Sequence, residues 1–203
     1  MAERPTGEGP EPIVPSDESL LQRMRKGDED AFTVLYRRHR GAVYRFALHM
    51  SGSAAVAEEV AQEVFMVLIK DTRNYDARRG SLGSWLYGIA RNFTLRCLER
   101  DRSFVPIGEE FGNGDQVPAE LIVSGDTLSE MARTERIDGL RKAILALPAR
   151  YREAVVLCDL HEMSYAEAAS VTGSAVGTIR SRLHRARALL LEKLRAANTR
   201  CLA

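Results

Sequence analysis

The chain has 203 residues, of which 45% are hydrophobic and 28% charged, and its net charge is +1. These values are ordinary for a folded protein of one large or two small domains, and they exclude a fibre, a disordered polymer and a uniformly basic nucleic-acid binder. Any affinity for nucleic acid must come from charge segregated along the chain.

Residues 1–15 hold Pro5, Pro10, Pro12 and Pro15, together with Gly and Glu, and read as a disordered tail. They lack the basic-then-apolar order of a secretory leader, and no apolar run in the chain approaches the roughly 18 residues that suggest a membrane span. A cytoplasmic protein without membrane insertion is expected. Cys97, Cys158 and Cys201 are odd in number and far apart, which suits a reducing compartment and argues against a disulfide framework.

Residues 16–102 carry helical periodicity almost throughout: Leu20, Leu21 and Met24, then Phe32, Leu35, Val43, Phe46 and Met50, then Val56, Val60, Val64, Val67 and Leu68. Ser51-Gly52-Ser53 and Gly80-Ser81 punctuate the pattern, so about four helices in a small bundle are predicted. On the helix from Val56 to Ile69 the apolar stripe is opposed by Glu58, Glu59, Gln62 and Glu63, an acidic patch that on its own reads as solvated surface. From Gly80 to Arg100, Trp85, Ile89 and Phe93 alternate with Arg91, Asn92, Arg96 and Arg100. Interleaved cations and aromatics suit single-stranded nucleic acid. Trp85 and Phe93 serve equally as core residues, and for Trp85 the core is favoured.

Residues 103–127 change character: Pro106, Gly108, Gly112, Gly114, Pro118 and Gly125 exclude a long helix, and Glu109, Glu110, Asp115, Glu120 and Asp126 make the stretch acidic. It reads as an interdomain linker. Helical pattern resumes over 128–203, with Pro148 opening a helix over Ala149 to Leu160. There are no strand signals. The predicted fold is all-α: two small helical domains joined by a flexible acidic linker.

The run from Ser164 to Leu194 is the most informative stretch. Ser164 and Glu167 form a capping-box pair at a helix start, and Val171-Thr172-Gly173 supplies a residue suited to positive φ for a sharp turn. A second helix follows with Ser174 as the expected N-cap, and Val176, Ile179, Leu183, Ala186, Leu190 and Leu194 recur at steps of three and four as its buried stripe. Opposite that stripe, at about 100° per residue, lie Ser174, Thr178, Ser181 and Arg185, flanked by Arg180, Arg182 and His184. Arg bonds a guanine edge bidentately and Ser and Thr accept either bases or phosphates, so this is the build of a DNA-reading helix-turn-helix. A basic helix alone would fit a solvated or membrane-surface face equally well; the capped helix and turn before it decide for DNA.

Cys158 and His161 form a Cys-x-x-His without a second ligand pair at zinc-site spacing. The chain also offers no nucleophile, base and orienting-group set and no phosphate-binding glycine loop. No metal, no cofactor and no enzymatic activity are expected.

Five ordered segments resemble the bacterial sigma factors of the extracytoplasmic-function group in the sigma-70 superfamily: Ala57 to Phe65, Ser84 to Asn92, Leu147-Pro148, Ser164 to Glu167, and Gly177 to Arg187. The resemblance covers nearly the whole chain after Ser16. It implies a region 2-like domain over 16–102 that binds core RNA polymerase and melts the promoter, and a region 4-like domain over 128–203. Glu59, Gln62 and Glu63 then match the polymerase-docking positions. Arg78, Arg79, Ser81, Arg91, Asn92 and Arg96 match those that hold the melted minus 10 strand. Ser174, Thr178, Arg180, Ser181, Arg182, His184 and Arg185 fall at the minus 35 duplex. The resemblance further implies three partners: core polymerase, promoter DNA as duplex and single strand, and an anti-sigma factor. Ile69 stands where a Trp is common and Val67 where a polar residue is usual, which makes that face more apolar, and Gly83 is expected to loosen the base-capturing loop. The rival expectation is a stand-alone helix-turn-helix regulator.

Overall fold

The computed structural model describes residues 15–104 and 127–201. The expected disordered tail, apart from Pro15, and the expected linker from 105 to 126 lie outside the described residues. Among the described residues every regular element is helical.

Helix α1 spans Asp17–Met24, α2 Glu29–Ser51, α3 Ala54–Lys70 and α4 Leu82–Phe104. Their starts follow local chemistry. Ser16, Asp28 and Ser53 each accept a hydrogen bond from a backbone N–H of the first turn, and Ser81 Oγ accepts from Ser84 N–H at 3.2 Å. Each such cap satisfies a donor the helix itself cannot. Gly52 ends α2 with φ of +76°, as the Ser-Gly-Ser punctuation predicts. Gly83, expected in a loop, sits instead in the first turn of α4, because Ser81 caps the helix two residues earlier.

The second half comprises α5 Thr127–Leu145, α6 Ala149–Val155, a π-helical turn over Val156–Leu160, α7 Tyr165–Thr172 and α8 Val176–Cys201. The π turn closes with His161 N–H donating to Val156 C=O at 3.1 Å. Glu162 then takes φ of +55°, the left-handed region that costs a non-glycine residue about 1–2 kcal/mol, and the chain turns into α7. Ser164 and Glu167 form the full capping box, and Gly173 ends α7 at φ of +63°. Slim Ala168 and Ala169 are the buried residues of α7.

Two expectations for α8 need correction. It begins at Val176, beyond Ser174, whose hydroxyl accepts from the Arg182 guanidinium at 3.3 Å rather than capping the helix. Val176 is 41% exposed, because the first turn projects past the buried stretch that Ile179, Leu183, Ala186 and Leu190 define. The buried residues of both halves, from Leu20 to Leu190, form one continuous core.

Removing the α7 cap tests the helix-turn-helix geometry: Ser164→Ala should cost about 1 kcal/mol and lower the thermal unfolding midpoint of the chain by about 2–4 °C. An unchanged midpoint would contradict the cap's contribution.

Candidate nucleic-acid and partner interfaces

The outward face of α8 is formed by Arg180, Ser181, His184 and Arg185, all exposed, with Thr178 half-buried beside them. Arg182 is also half-buried, turned back toward Ser174. Arg180 lies over the Tyr165 ring at 5.9 Å. The Arg185 guanidinium beside Tyr151 leads the causes that hold the Tyr151 phenol below its ordinary range, with Arg150 adding to it. Arg187, part of the same basic sequence run, is neutralised by a two-pronged pair with Asp159, at 3.1 and 2.5 Å. The free positive charge of α8 is therefore narrower than its sequence implies, and it centres on the positions expected at a groove.

A second basic surface lies on the loop before α4 and on α4 itself. Two short 3-10 turns, Thr72–Asn74 and Ala77–Arg79, carry Arg78 and Arg79. Arg25 donates to Thr72 C=O at 2.6 Å and the Tyr75 hydroxyl to Gly80 C=O at 3.2 Å, so the loop is braced at both ends. Arg78 pairs with Asp76 at 3.0 Å while remaining 89% exposed; Arg79 and Ser81 are exposed too. On α4, Asn92 and Arg96 face outward, and Arg96 lies 5.7 Å from the Phe93 ring. Trp85 is half-buried, its ring 5.8 Å from Tyr75, and packs on the core.

The acidic patch borders a groove between α2 and α3 of about 550 Å³. Phe32, Tyr36 and Phe65 form an aromatic run along it, with Tyr36 meeting Phe65 edge-on at 4.8 Å. Glu58 pairs with Arg40 at 3.1 Å and Glu59 with Arg100 at 3.2 Å, leaving Gln62 and Glu63 exposed. Met66 is 39% and Ile69 51% exposed along the groove. The apolar departure at Ile69 is thus a surface feature, not a core substitution.

Residues 35–104 match the family described as Sigma-70 region 2, and residues 137–190 that described as Sigma-70, region 4. The chain is 30% identical over 178 residues to the ECF RNA polymerase sigma factor SigW of Bacillus subtilis, covering 86% of this chain and 95% of that protein. It is 33% identical over 188 residues to the ECF RNA polymerase sigma factor SigE of Mycolicibacterium smegmatis, covering 90% of this chain and 70% of that protein. Among solved structures, the sigma factor RpoE in complex with the anti-sigma factor NepR from Bartonella quintana superposes with a TM-score of 0.62 at 29% identity, over 81% of this chain and 96% of that one.

The chain belongs to the extracytoplasmic-function RNA polymerase sigma factors. It is a transcription initiation factor that binds core RNA polymerase and directs it to promoters. A stand-alone regulator does not explain the region 2 match over residues 35–104.

In this sigma factor the region 2 and region 4 halves are packed on each other: α7 against α4, and α2 against α5, α6 and the π turn. Arg91 Nε of α4 pairs with the Glu153 carboxylate of α6, which is only 3% exposed. The Arg152 guanidinium donates to Met50 C=O at the end of α2 and to Leu145 and Leu147 C=O, the last at 3.1 Å. The Tyr87 hydroxyl meets His161 Nδ1 at 2.7 Å. Gly52 admits Leu145, whose Cδ1 would stand 2.9 Å from a Cβ at that position.

His161 faces His49 with ring centroids 6.3 Å apart. Burial, then the neighbouring His49 and Arg45, drives His161 from an ordinary value of 6.5 down to about 4. His49 is lowered by burial, then by Arg141 and Arg45. His49 Nδ1 and His161 Nε2 are buried without a hydrogen-bond partner, and each such group costs about 1–3 kcal/mol. Both rings are neutral while the halves are packed, so their contribution is fully present above about 6.5 and is lost as pH falls toward 4. Acidification from pH 7 to pH 5 should therefore lower the unfolding midpoint more in the wild type than in a His161→Phe chain. Equal pH dependence in the two would contradict this.

Proposed function

We propose that residues 16–102 form the unit that docks on core polymerase and holds melted minus 10 DNA, that 103–127 tether it, and that 128–203 read the minus 35 duplex. The observation that carries this division is the capped α7, glycine turn and α8, with Arg180, Ser181, His184 and Arg185 exposed together. A second helix of this kind enters the major groove with its N-terminal residues at base edges. Ser174, Thr178 and Arg182 line the same end of α8, and the Ser174–Arg182 bond orients that guanidinium.

Arg78, Arg79, Ser81, Arg91, Asn92 and Arg96 are assigned to the separated minus 10 strand. Exposed guanidinium groups beside Phe93 and a braced loop supply the cations and π faces that repay unstacking. Glu59, Gln62 and Glu63 are assigned to polymerase, and the aromatic groove next to them adds apolar area to that contact. The RpoE of Bartonella quintana is solved with the anti-sigma factor NepR; a protein partner of that kind is proposed here too. The reading is of a cytoplasmic factor without catalysis of its own, as membership of the sigma-factor family supports.

Replacing Arg185 with Ala should weaken minus 35 duplex binding by about 1–3 kcal/mol and relax selectivity at one base pair. Binding titrations against single-base variants of the site read both, and unchanged affinity and selectivity would refute the groove assignment. Introducing positive charge with Gln62→Lys and Glu63→Lys, both at exposed positions, should weaken core-polymerase binding roughly tenfold, about 1.4 kcal/mol, with the helical circular dichroism unchanged. A variant that competes for core polymerase as well as the wild type would remove the acidic patch from the docking surface.

A further inference from the structure

We propose that the duplex-reading surface does not end with α8: Arg150 and Tyr151 of α6 belong to it, Tyr151 as a positioning residue for the Arg185 guanidinium and Arg150 as a contact to a backbone phosphate beside the groove. This rests on the proposed assignment of α8 to the minus 35 duplex.

The side chains concerned meet at one phenol. Arg150 Cζ lies 4.9 Å from the centroid of the Tyr151 ring, a distance at which the negative face of the ring attracts a guanidinium. The Arg185 guanidinium lies beside the phenol of the same residue, and α6 packs on α8. On the other flank of α8, Arg180 lies 5.9 Å from the ring of Tyr165, the first residue of α7. At about 100° per residue, Arg180 and Arg185 stand roughly 140° apart around the helix, with Ser181 and His184 between them. Both edges of the groove-facing row thus rest on a tyrosine from an earlier helix.

Charge separates Arg150 from the cations around it. Arg152 is turned onto the backbone carbonyls of Met50, Leu145 and Leu147, Arg187 is paired with Asp159 and Arg91 with Glu153. Arg150 is exposed, and among the described residues no carboxylate pairs with it or with Arg185. Two guanidinium groups converging on one phenol repel each other, and an anion brought to them relieves that repulsion.

Dimensions decide which part of the DNA each arginine meets. A major groove about 12 Å wide is filled by a helix about 10–12 Å across. With α8 in the groove, α6 lies about 8–10 Å away from it, axis to axis, and stays outside at the sugar-phosphate wall. Arg150 therefore meets phosphate, a contact that adds affinity without sequence information. Arg185 reaches into the groove, where a bidentate bond to guanine requires its planar fork in one orientation. Tyr151 sets that orientation before DNA arrives, so less side-chain freedom is lost on binding.

The test uses the full-length chain bound to core polymerase, and a short duplex that the wild-type complex recovers from a pool with a randomised segment. Arg150→Ala should weaken binding roughly fivefold for the recovered duplex and its single-base variants alike, and should lower the slope of log affinity against log salt concentration by about 0.9, as loss of one phosphate contact requires. Tyr151→Phe keeps the ring under Arg150; it should leave that slope unchanged and reduce discrimination at the base pair read by Arg185 about threefold. In an Arg185→Ala background the same Tyr151→Phe change should have no further effect, a coupling that a purely structural tyrosine would not show. A wild-type salt slope in Arg150→Ala would overturn the phosphate contact. Undiminished discrimination in Tyr151→Phe, or an equal loss with and without Arg185, would overturn the positioning role. Arg185→Ala in the same titrations separates the two readings. If it relaxes discrimination while the α6 variants change nothing, the groove assignment stands and the contribution of α6 falls; if it too changes nothing, or if the wild-type complex enriches no duplex, both fall.

Discussion

Glu153 is an acidic residue at 3% exposure, and a buried carboxylate is tolerated only where a cation and hydrogen bonds meet it. The cation is Arg91, from the other half of the chain. This pair joins the halves within a larger seam: beside it Arg152 reaches the open carbonyl end of α2, His161 lies beside Tyr87 and His49, and the apolar core runs on from one half to the other. The same guanidinium is among those proposed for the separated minus 10 strand.

The helical frame was legible in the sequence because each boundary is set by short-range chemistry. Ser53, Ser81 and Ser164 cap helices, and Gly52 and Gly173 take the left-handed backbone that ends them. Where two signals compete the reading slips. Ser174 has the composition of an N-cap, but Arg182, two turns on, claims its hydroxyl, and the apolar period places Val176 in the core although the helix has only begun there. Gly83 reads as loop from composition, yet Ser81 has already started α4.

The candidate surfaces were legible in part. Residue types and period place Arg180, Ser181, His184 and Arg185 on one face, and that face is open. Counting cations overstates it, since Arg187 is held by Asp159, 28 residues earlier, and no local pattern signals such a pair. The contacts that join the halves were illegible for the same reason: their partners stand 62, 74 and 102 residues apart. The aromatic groove was visible only as an acidic stripe with an odd Ile69, because Phe32 and Tyr36 come from α2 and meet Phe65 only in the folded bundle.

Two binding surfaces in one chain suit a factor that acts in company with polymerase. A common scaffold that fixes the spacing of two such surfaces turns the second contact into an intramolecular event. Promoter-specific run-off transcription with purified core RNA polymerase, on genomic fragments from the source organism, tests this most directly. Discrete transcripts that require both core polymerase and this protein are predicted; a protein that shifts specific duplexes alone, as a dimer, and yields no transcript with core polymerase would contradict it.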